Sequence, residues 1–184
     1  MPVQTQPYGA FRAEDLLAPG MPEKFVEIIE GELVTMTPAG RFHNRVALRL
    51  HLLLSEFCGK RHGLDMGGDN EGFLIERRPD ILLSPDASLF RRRPESESPW
   101  LEFAPEVAVE VLSPSNTPAE IAYKTAKYFQ AGSEQVWIVD PEKRSLEFIH
   151  KDGRRVRVEG DEVAMGEGLA EGLEVDLKAL FAKP

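Results

Sequence analysis

Two carboxylates sit where the surrounding residue types do not favour them. The segment Glu106–Leu112 reads Glu-Val-Ala-Val-Glu-Val-Leu. Strand alternation sends Val107, Val109 and Val111 to one face and Ala108, Glu110 and Leu112 to the other. In a sheet covered on both faces by helices, Glu110 would lie among apolar neighbours. An ionised carboxylate there costs several kcal/mol unless it is paired, hydrogen-bonded or bound to a cation. Upstream, Pro85-Asp86-Ala87-Ser88-Leu89 sets Asp86 where an apolar run is interrupted and then resumes. Each acid also has a plain structural reading. Asp86 could close a proline-aspartate turn by accepting from nearby amides, and Glu110 could face water from an edge strand. Two such acids on strands expected to be neighbours suggest a site. Asp80 follows a proline too, but it precedes a strand-like alternation rather than lying within one.

A third group comes from the segment Pro118–Ala131, which reads as a helix ended by Gly132. Ile121, Thr125, Tyr128 and Phe129 form its apolar stripe, and Lys124 projects about 60–80° from the centre of that stripe. A lysine so placed can reach a sheet end or extend to solvent. Other chemistry lacks its pattern. Gly166-Glu167-Gly168 has no third glycine at dinucleotide spacing, and there is no phosphate-binding Walker loop. No Gly-x-Ser-x-Gly elbow occurs, and the four histidines, His43, His51, His62 and His150, are scattered. Ser113 and Ser115 read as turn or cap residues before the helix, because no histidine is placed by sequence to activate them. Trp137 and Phe129 read as core.

The elements that must position these groups follow from periodicity. Phe25–Ile29 and Glu32–Met36 flank Glu30-Gly31 as a β-hairpin. A helix runs from Arg41 to Cys58, with Phe42, Val46, Leu50, Leu53 and Phe57 on its apolar stripe. Strands are expected at Gly72–Glu76, Ile81–Phe90 and Glu106–Leu112, with Arg91–Pro105 as a polar loop. After the second helix come Gln135–Asp140, then Ser145–His150 and Arg154–Val158 around Lys151-Asp152-Gly153, a second hairpin. A short helix is expected at Ala13–Leu17 and one helical turn at Leu177–Phe181. The order predicts a mixed α/β fold. Residues 1–22 read as an N-terminal arm and 23–184 as a single domain.

The chain of 184 residues carries 31 acids against 22 bases, a formal net charge of −9. That balance argues against an indiscriminate nucleic-acid coat or a binder of anionic membranes. It leaves room for a local basic groove, because Arg41, Arg45 and Arg49, Arg91-Arg92-Arg93, and Arg154, Arg155 and Arg157 are grouped. The single cysteine, Cys58, supports no intrachain disulfide and no cysteine-rich zinc site. With no signal peptide and no apolar run of about 20 residues, a cytoplasmic protein without membrane attachment is expected.

A strand with Pro-Asp, a strand with Glu, then a lysine is similar to the PD-(D/E)XK nuclease superfamily. More narrowly, the chain resembles the Uma-type family of restriction-endonuclease-like proteins from Phe25 to about Phe181. The resemblance is carried by Val26-Glu27-Ile28-Ile29-Glu30-Gly31-Glu32, His43 and Leu83-Ser84-Pro85-Asp86-Ala87-Ser88. It continues through Val109-Glu110-Val111-Leu112-Ser113-Pro114-Ser115, Lys124 with Tyr128 and Gly132, and Val136-Trp137-Ile138-Val139-Asp140-Pro141. The chain departs from the superfamily pattern at Leu112, two residues after Glu110, where a lysine is usual. Lys124 on the following helix takes that place in the Uma-type pattern.

The resemblance implies a restriction-endonuclease-like mixed β-sheet flanked by helices, with an N-terminal β-hairpin and a C-terminal β extension. It implies an endonuclease that hydrolyses phosphodiester bonds in DNA, leaving a 5′ phosphate, and a homodimer. Mg²⁺ or Mn²⁺ would be held by Asp86, Glu110 and the backbone carbonyl of Val111, since both ions favour oxygen ligands. Asp86, Glu110 and Lys124 would be the catalytic residues, with Glu27 and His43 as accessories. The competing expectation is a noncatalytic nucleic-acid-binding or assembly module that retains the fold.

Overall fold

The computed structural model describes residues 11–22, 26–36, 38–68 and 70–183. Strands β1 (Val26–Ile29) and β2 (Glu32–Thr35) form the expected hairpin. Its turn residues Glu30 and Gly31 have φ of 51° and 76°, the positive values that suit a two-residue turn to the twist of its strands. Phe25, expected in the first strand, lies outside the described residues. Helix α1 (Arg41–Gly59) follows, then β3 (Leu64–Gly67), which the weak alternation of Leu-Asp-Met-Gly did not reveal.

The run Ile81–Phe90, expected as one strand, is two. After β4 (Phe73–Glu76), β5 (Ile81–Leu83) belongs to a four-stranded sheet in the order β2-β1-β5-β4. Strand β6 (Ala87–Arg91) belongs to a second sheet. Pro85 lies in the break, where it has no N–H to give to a ladder, and the chain bends from one sheet to the other through Ser84, Pro85 and Asp86. Asp86 is therefore not within a strand but one residue before β6.

The second sheet continues with β7 (Val107–Val111), β8 (Gln135–Asp140), β9 (Ser145–His150) and β10 (Arg155–Glu159). Its order is β10-β9-β8-β7-β6-β3. Only β7 and β8 are parallel among its pairs, and helix α2 (Pro118–Ala131) makes the crossover that a parallel pair requires. The short strands β11 (Val163–Met165) and β12 (Glu174–Asp176) pair with each other, and α3 (Leu177–Leu180) ends the described fold.

The alternation expected in β7 holds. Val107, Val109 and Val111 pack with α1 in one core, with Trp137, Val139, Leu146 and Phe148. Ala108 and Leu112 join the other core, where Tyr128 of α2 meets Ile81 and Leu83 of β5. Thus α1 and α2 cover opposite faces of the six-stranded sheet, and α2 also packs on the four-stranded one. The apolar stripe of α1 is Val46, Ala47, Leu50, Leu54 and Phe57. Leu54 takes the place expected for Leu53, and Phe42 and Leu53 are only half-buried. Trp137 is fully buried, as expected, while Phe129 is half-buried against the second core.

Short-range chemistry sets α2 firmly. The Thr117 side chain accepts from the Glu120 amide at 3.2 Å, and the Thr117 amide donates to the Glu120 carboxylate at 3.4 Å, a capping box. Pro118 opens the first turn, and Gly132 closes the helix at φ 118°. Thr117→Ala should lower unfolding free energy by about 1 kcal/mol, with Thr117→Ser recovering most of it. Urea titrations of the three proteins check this.

Candidate active site

The four-stranded sheet supplies Glu27, the six-stranded sheet supplies Glu110, and α2 supplies Lys124 and Tyr128. Lys124 and Tyr128 are one helical turn apart, so both point the same way. Lys124 Nζ lies 2.8 Å from Glu27 Oε1 and 3.3 Å from Glu110 Oε2. The Tyr128 hydroxyl donates to Glu110 Oε1 at 2.9 Å, and the Ser84 amide donates to Glu27 Oε1 at 2.9 Å. Side-chain exposure is 5% for Lys124, 2% for Glu27 and 8% for Glu110. A lysine expected to flank its stripe is instead buried within it, because two carboxylates meet it there.

Burial strongly favours the neutral form of Glu110. The Lys124 charge opposes this, the charges of Asp86 and Glu27 add to it, and the net effect pushes its pKa up to about 7. Burial alone would lower the pKa of Lys124, but the charges of Glu110 and Glu27 raise it above that of an ordinary lysine. Lys124 is thus firmly cationic. Burial and the neighbouring Glu110 charge also hold the Tyr128 hydroxyl well above its usual pKa, so it remains a donor.

Asp86 lies beside this group. Its neighbour Ala87 pairs with Val109 across the β6–β7 ladder, so one further step of the same register reaches Glu110. The Val111 amide donates to Asp86 Oδ2 at 2.7 Å, and His43 Nε2 lies 3.4 Å from Asp86 Oδ1. The ring of His51 bonds the Asp86 backbone carbonyl. Burial would lower the His43 pKa, but its bond to Asp86 and the Asp86 charge raise it overall. On α1, His43, Ala47 and His51 follow one another at intervals of four residues, along the edge nearest the bend.

Of these groups, His43, Asp86, Glu110 and Lys124 line a cavity of about 500 Å³, walled also by Val34–Met36, Pro38–Gly40 and Ser113–Asn116. A larger cavity, about 690 Å³, lies on the far side of α2 over Ile121, Phe129, Ile138 and Ile149. Its charged residues do not form a carboxylate–lysine cluster like the one above.

Of the residues singled out in sequence, Asp86, Glu110, Val111, Lys124, Glu27 and His43 come together here. Glu27 is not a solvent-facing hairpin residue. Asp80 is separate and structural: it is buried and accepts from the amide of Ala13 at 2.9 Å and from Arg77 at 3.2 Å. Tyr128 and His51 were missed as site residues. The helical spacing from His43 to His51 was the available signal for one, whereas Tyr128 read as core. Ser113 bonds Asn116 and Ser115, and no histidine is among its partners.

Among the described residues, no three histidine, cysteine or acidic side chains are gathered as a ready-made cation cage. The donors nevertheless suit a hard divalent ion. Glu27 and Glu110 both contact the one ammonium, and Asp86 lies near enough for its charge to add, with that of Glu27, to the burial that raises the Glu110 pKa. Two carboxylates with a backbone carbonyl suit ions that keep several waters.

A mixed sheet between two helices, with an aspartate and a glutamate at neighbouring positions of adjacent strands and a lysine beside them, defines the restriction-endonuclease-like class. The model of the Uma2 family, described as "Putative restriction endonuclease", matches residues 13–178, and the chain belongs to that family. Among solved structures, the chain is similar to a protein from Anabaena variabilis described as a putative nuclease belonging to DUF820. The two share 19% identity over 91% of this chain and 95% of that one, with a TM-score of 0.78. No curated protein matches the chain.

The raised pKa of Glu110 has a definite sign in stability. The folded protein binds this proton more tightly than the unfolded chain, so the contribution is full below about pH 4.5 and declines as pH rises to about 7. In chelator-treated protein, wild type should lose a few kcal/mol relative to Glu110→Gln between pH 5 and pH 8. Urea titrations of both at the two pH values decide it; a relative gain by wild type contradicts the buried-carboxylate account.

Proposed function

We propose that this protein is a metal-dependent endonuclease that hydrolyses phosphodiester bonds in DNA. The observation that supports this best is the cluster of Glu110, Lys124 and Glu27 with Asp86, of which Asp86, Glu110 and Lys124 line one cavity. Asp86, Glu110 and the Val111 carbonyl are the proposed ligands for Mg²⁺ or Mn²⁺. Bound there, the ion would lower the pKa of a water and offset charge on the phosphodiester.

Hydrolysis forms a bond between the water oxygen and phosphorus, breaks the bond from phosphorus to the 3′ oxygen, and leaves that oxygen protonated. Lys124 supplies fixed positive charge beside the developing negative charge and favours the ionised form of Glu110. The Val111 amide, the His43 ring and the His51 ring fix Asp86 at its carboxylate and its backbone. Glu27 holds Lys124 in place and ties it to the Ser84 amide at the sheet-to-sheet bend. Tyr128 fixes the orientation of Glu110. His43 and Glu27 are thus positioning residues in this scheme, and Asp86, Glu110 and Lys124 carry the chemistry.

A cytoplasmic setting, in which the lone Cys58 stays reduced, fits this role. Among the described residues no helix is long and apolar enough to cross a membrane. A homodimer is supported by the family resemblance.

Mn²⁺ should bind wild type, and Glu110→Gln should bind it at least tenfold more weakly in titration calorimetry. Equal affinities would remove Glu110 from the site. With Mn²⁺, Asp86→Asn and Lys124→Met should each lower DNA cleavage by about a hundredfold or more, while circular dichroism confirms that the variants are folded.

A further inference from the structure

The cavity over Asp86 and Glu110 is poor in positive charge. Its lining carries Asp86, Glu110 and Glu120 against Lys124 and the His43 ring. Lys124 is 5% exposed and already engaged by two carboxylates. The remaining polar wall is neutral: Thr35, Asn44, Ser113, Ser115 and Asn116 line it. Ser113 is bonded to Ser115 and Asn116, and the Asn44 amide to the Ala39 carbonyl, so a ligand would meet their remaining donors and lone pairs. Lys24 is the only basic residue outside the described ones.

The arginine groups that could follow a phosphate backbone are mostly committed elsewhere. Arg91 and Arg93 hold Glu106, and Arg92 holds Asp65. Arg154, Arg155 and Arg157 pair with Glu167, Glu147 and Glu159. Arg49 donates to the carbonyls of Leu180 and Ala182 at 2.7 and 2.8 Å. Arg41 and Arg45 lie on α1 but do not line the cavity.

A duplex brings phosphates on both sides of the scissile bond, and its affinity comes mainly from cations that neutralise them. Here the flanking phosphates would meet neutral groups and a chain of net charge −9. A short substrate presents far fewer of them. Its bases and sugars can hydrogen-bond to the amides and hydroxyls of the wall, and about 500 Å³ falls in the range that encloses small ligands.

We infer that the preferred substrate is a short single-stranded phosphodiester, two to a few nucleotides long, engaged at a single phosphate rather than along a duplex backbone. This rests on the hydrolytic role proposed above and narrows it to a substrate class.

The full-length protein with Mn²⁺ is assayed on a tetranucleotide and on a duplex of about twenty base pairs that contains it, between 50 and 200 mM salt. The tetranucleotide should be cut with kcat/KM at least tenfold above the duplex, and its rate should change less than about threefold over that salt range. A protein that makes six to ten phosphate contacts loses roughly 10³–10⁵ in affinity over the same range. Faster cutting of the duplex, with a steep fall in salt, overturns this inference and leaves the nuclease role intact. Cutting neither substrate overturns the nuclease role and this inference together.

Discussion

One buried ammonium holds the site together. Lys124 sits between Glu27 of the four-stranded sheet and Glu110 of the six-stranded sheet, 2.8 and 3.3 Å away. Remove its charge and two nearly inaccessible carboxylates face each other with Asp86 close by. Such a cluster is a poor way to gain stability, because desolvating the ions cancels much of their attraction, and apolar residues of similar volume often do as well. Its presence beside a cavity is therefore the ground for the chemistry proposed there. The same ion group also ties α2 to both sheets, so the packing of the fold and the charge state of the site are set together.

The bend at Ser84-Pro85-Asp86 is the second constraint. It moves the chain from one sheet to the other and leaves Asp86 just outside the ladder, with its carboxylate free to accept the Val111 amide. Had β5 run on into β6 as a single strand, Asp86 would have alternated to one face of a sheet. The Ser84 amide, bonded to Glu27 at 2.9 Å, links this bend to the lysine cluster. Sheet change and site are one local structure.

What the sequence made legible is what depends on neighbours along the chain. The alternation of Glu106–Leu112 placed Glu110 on the right face, and Thr117, Pro118 and Gly132 marked α2 at both ends. The break inside Ile81–Phe90 was visible only as Pro85, which by itself does not say that the two halves join different sheets. The burial of Lys124 depends on Glu27, nearly a hundred residues away, and no angular rule on one helix contains that information. Glu27 looked like any exposed hairpin acid for the same reason. Tyr128 reads as core and is fully buried, and its hydroxyl meets Glu110 only because the fold brings them together.

Charge follows the same division. The net value of −9 says that a polyanion is not attracted globally, and the arginine groups suggested local exceptions. The fold largely uses those groups for itself. Arg91 and Arg93 converge on the buried Glu106 at the start of β7, and the Arg93 guanidinium also lies 3.7 Å over the Phe103 ring. They fasten the loop after β6 to the strand that carries Glu110. Arginines that clamp a loop in this way cannot also follow a phosphate backbone without giving up those bonds. What positive charge the cavity keeps is concentrated at Lys124, deep in the wall and beside the carboxylates.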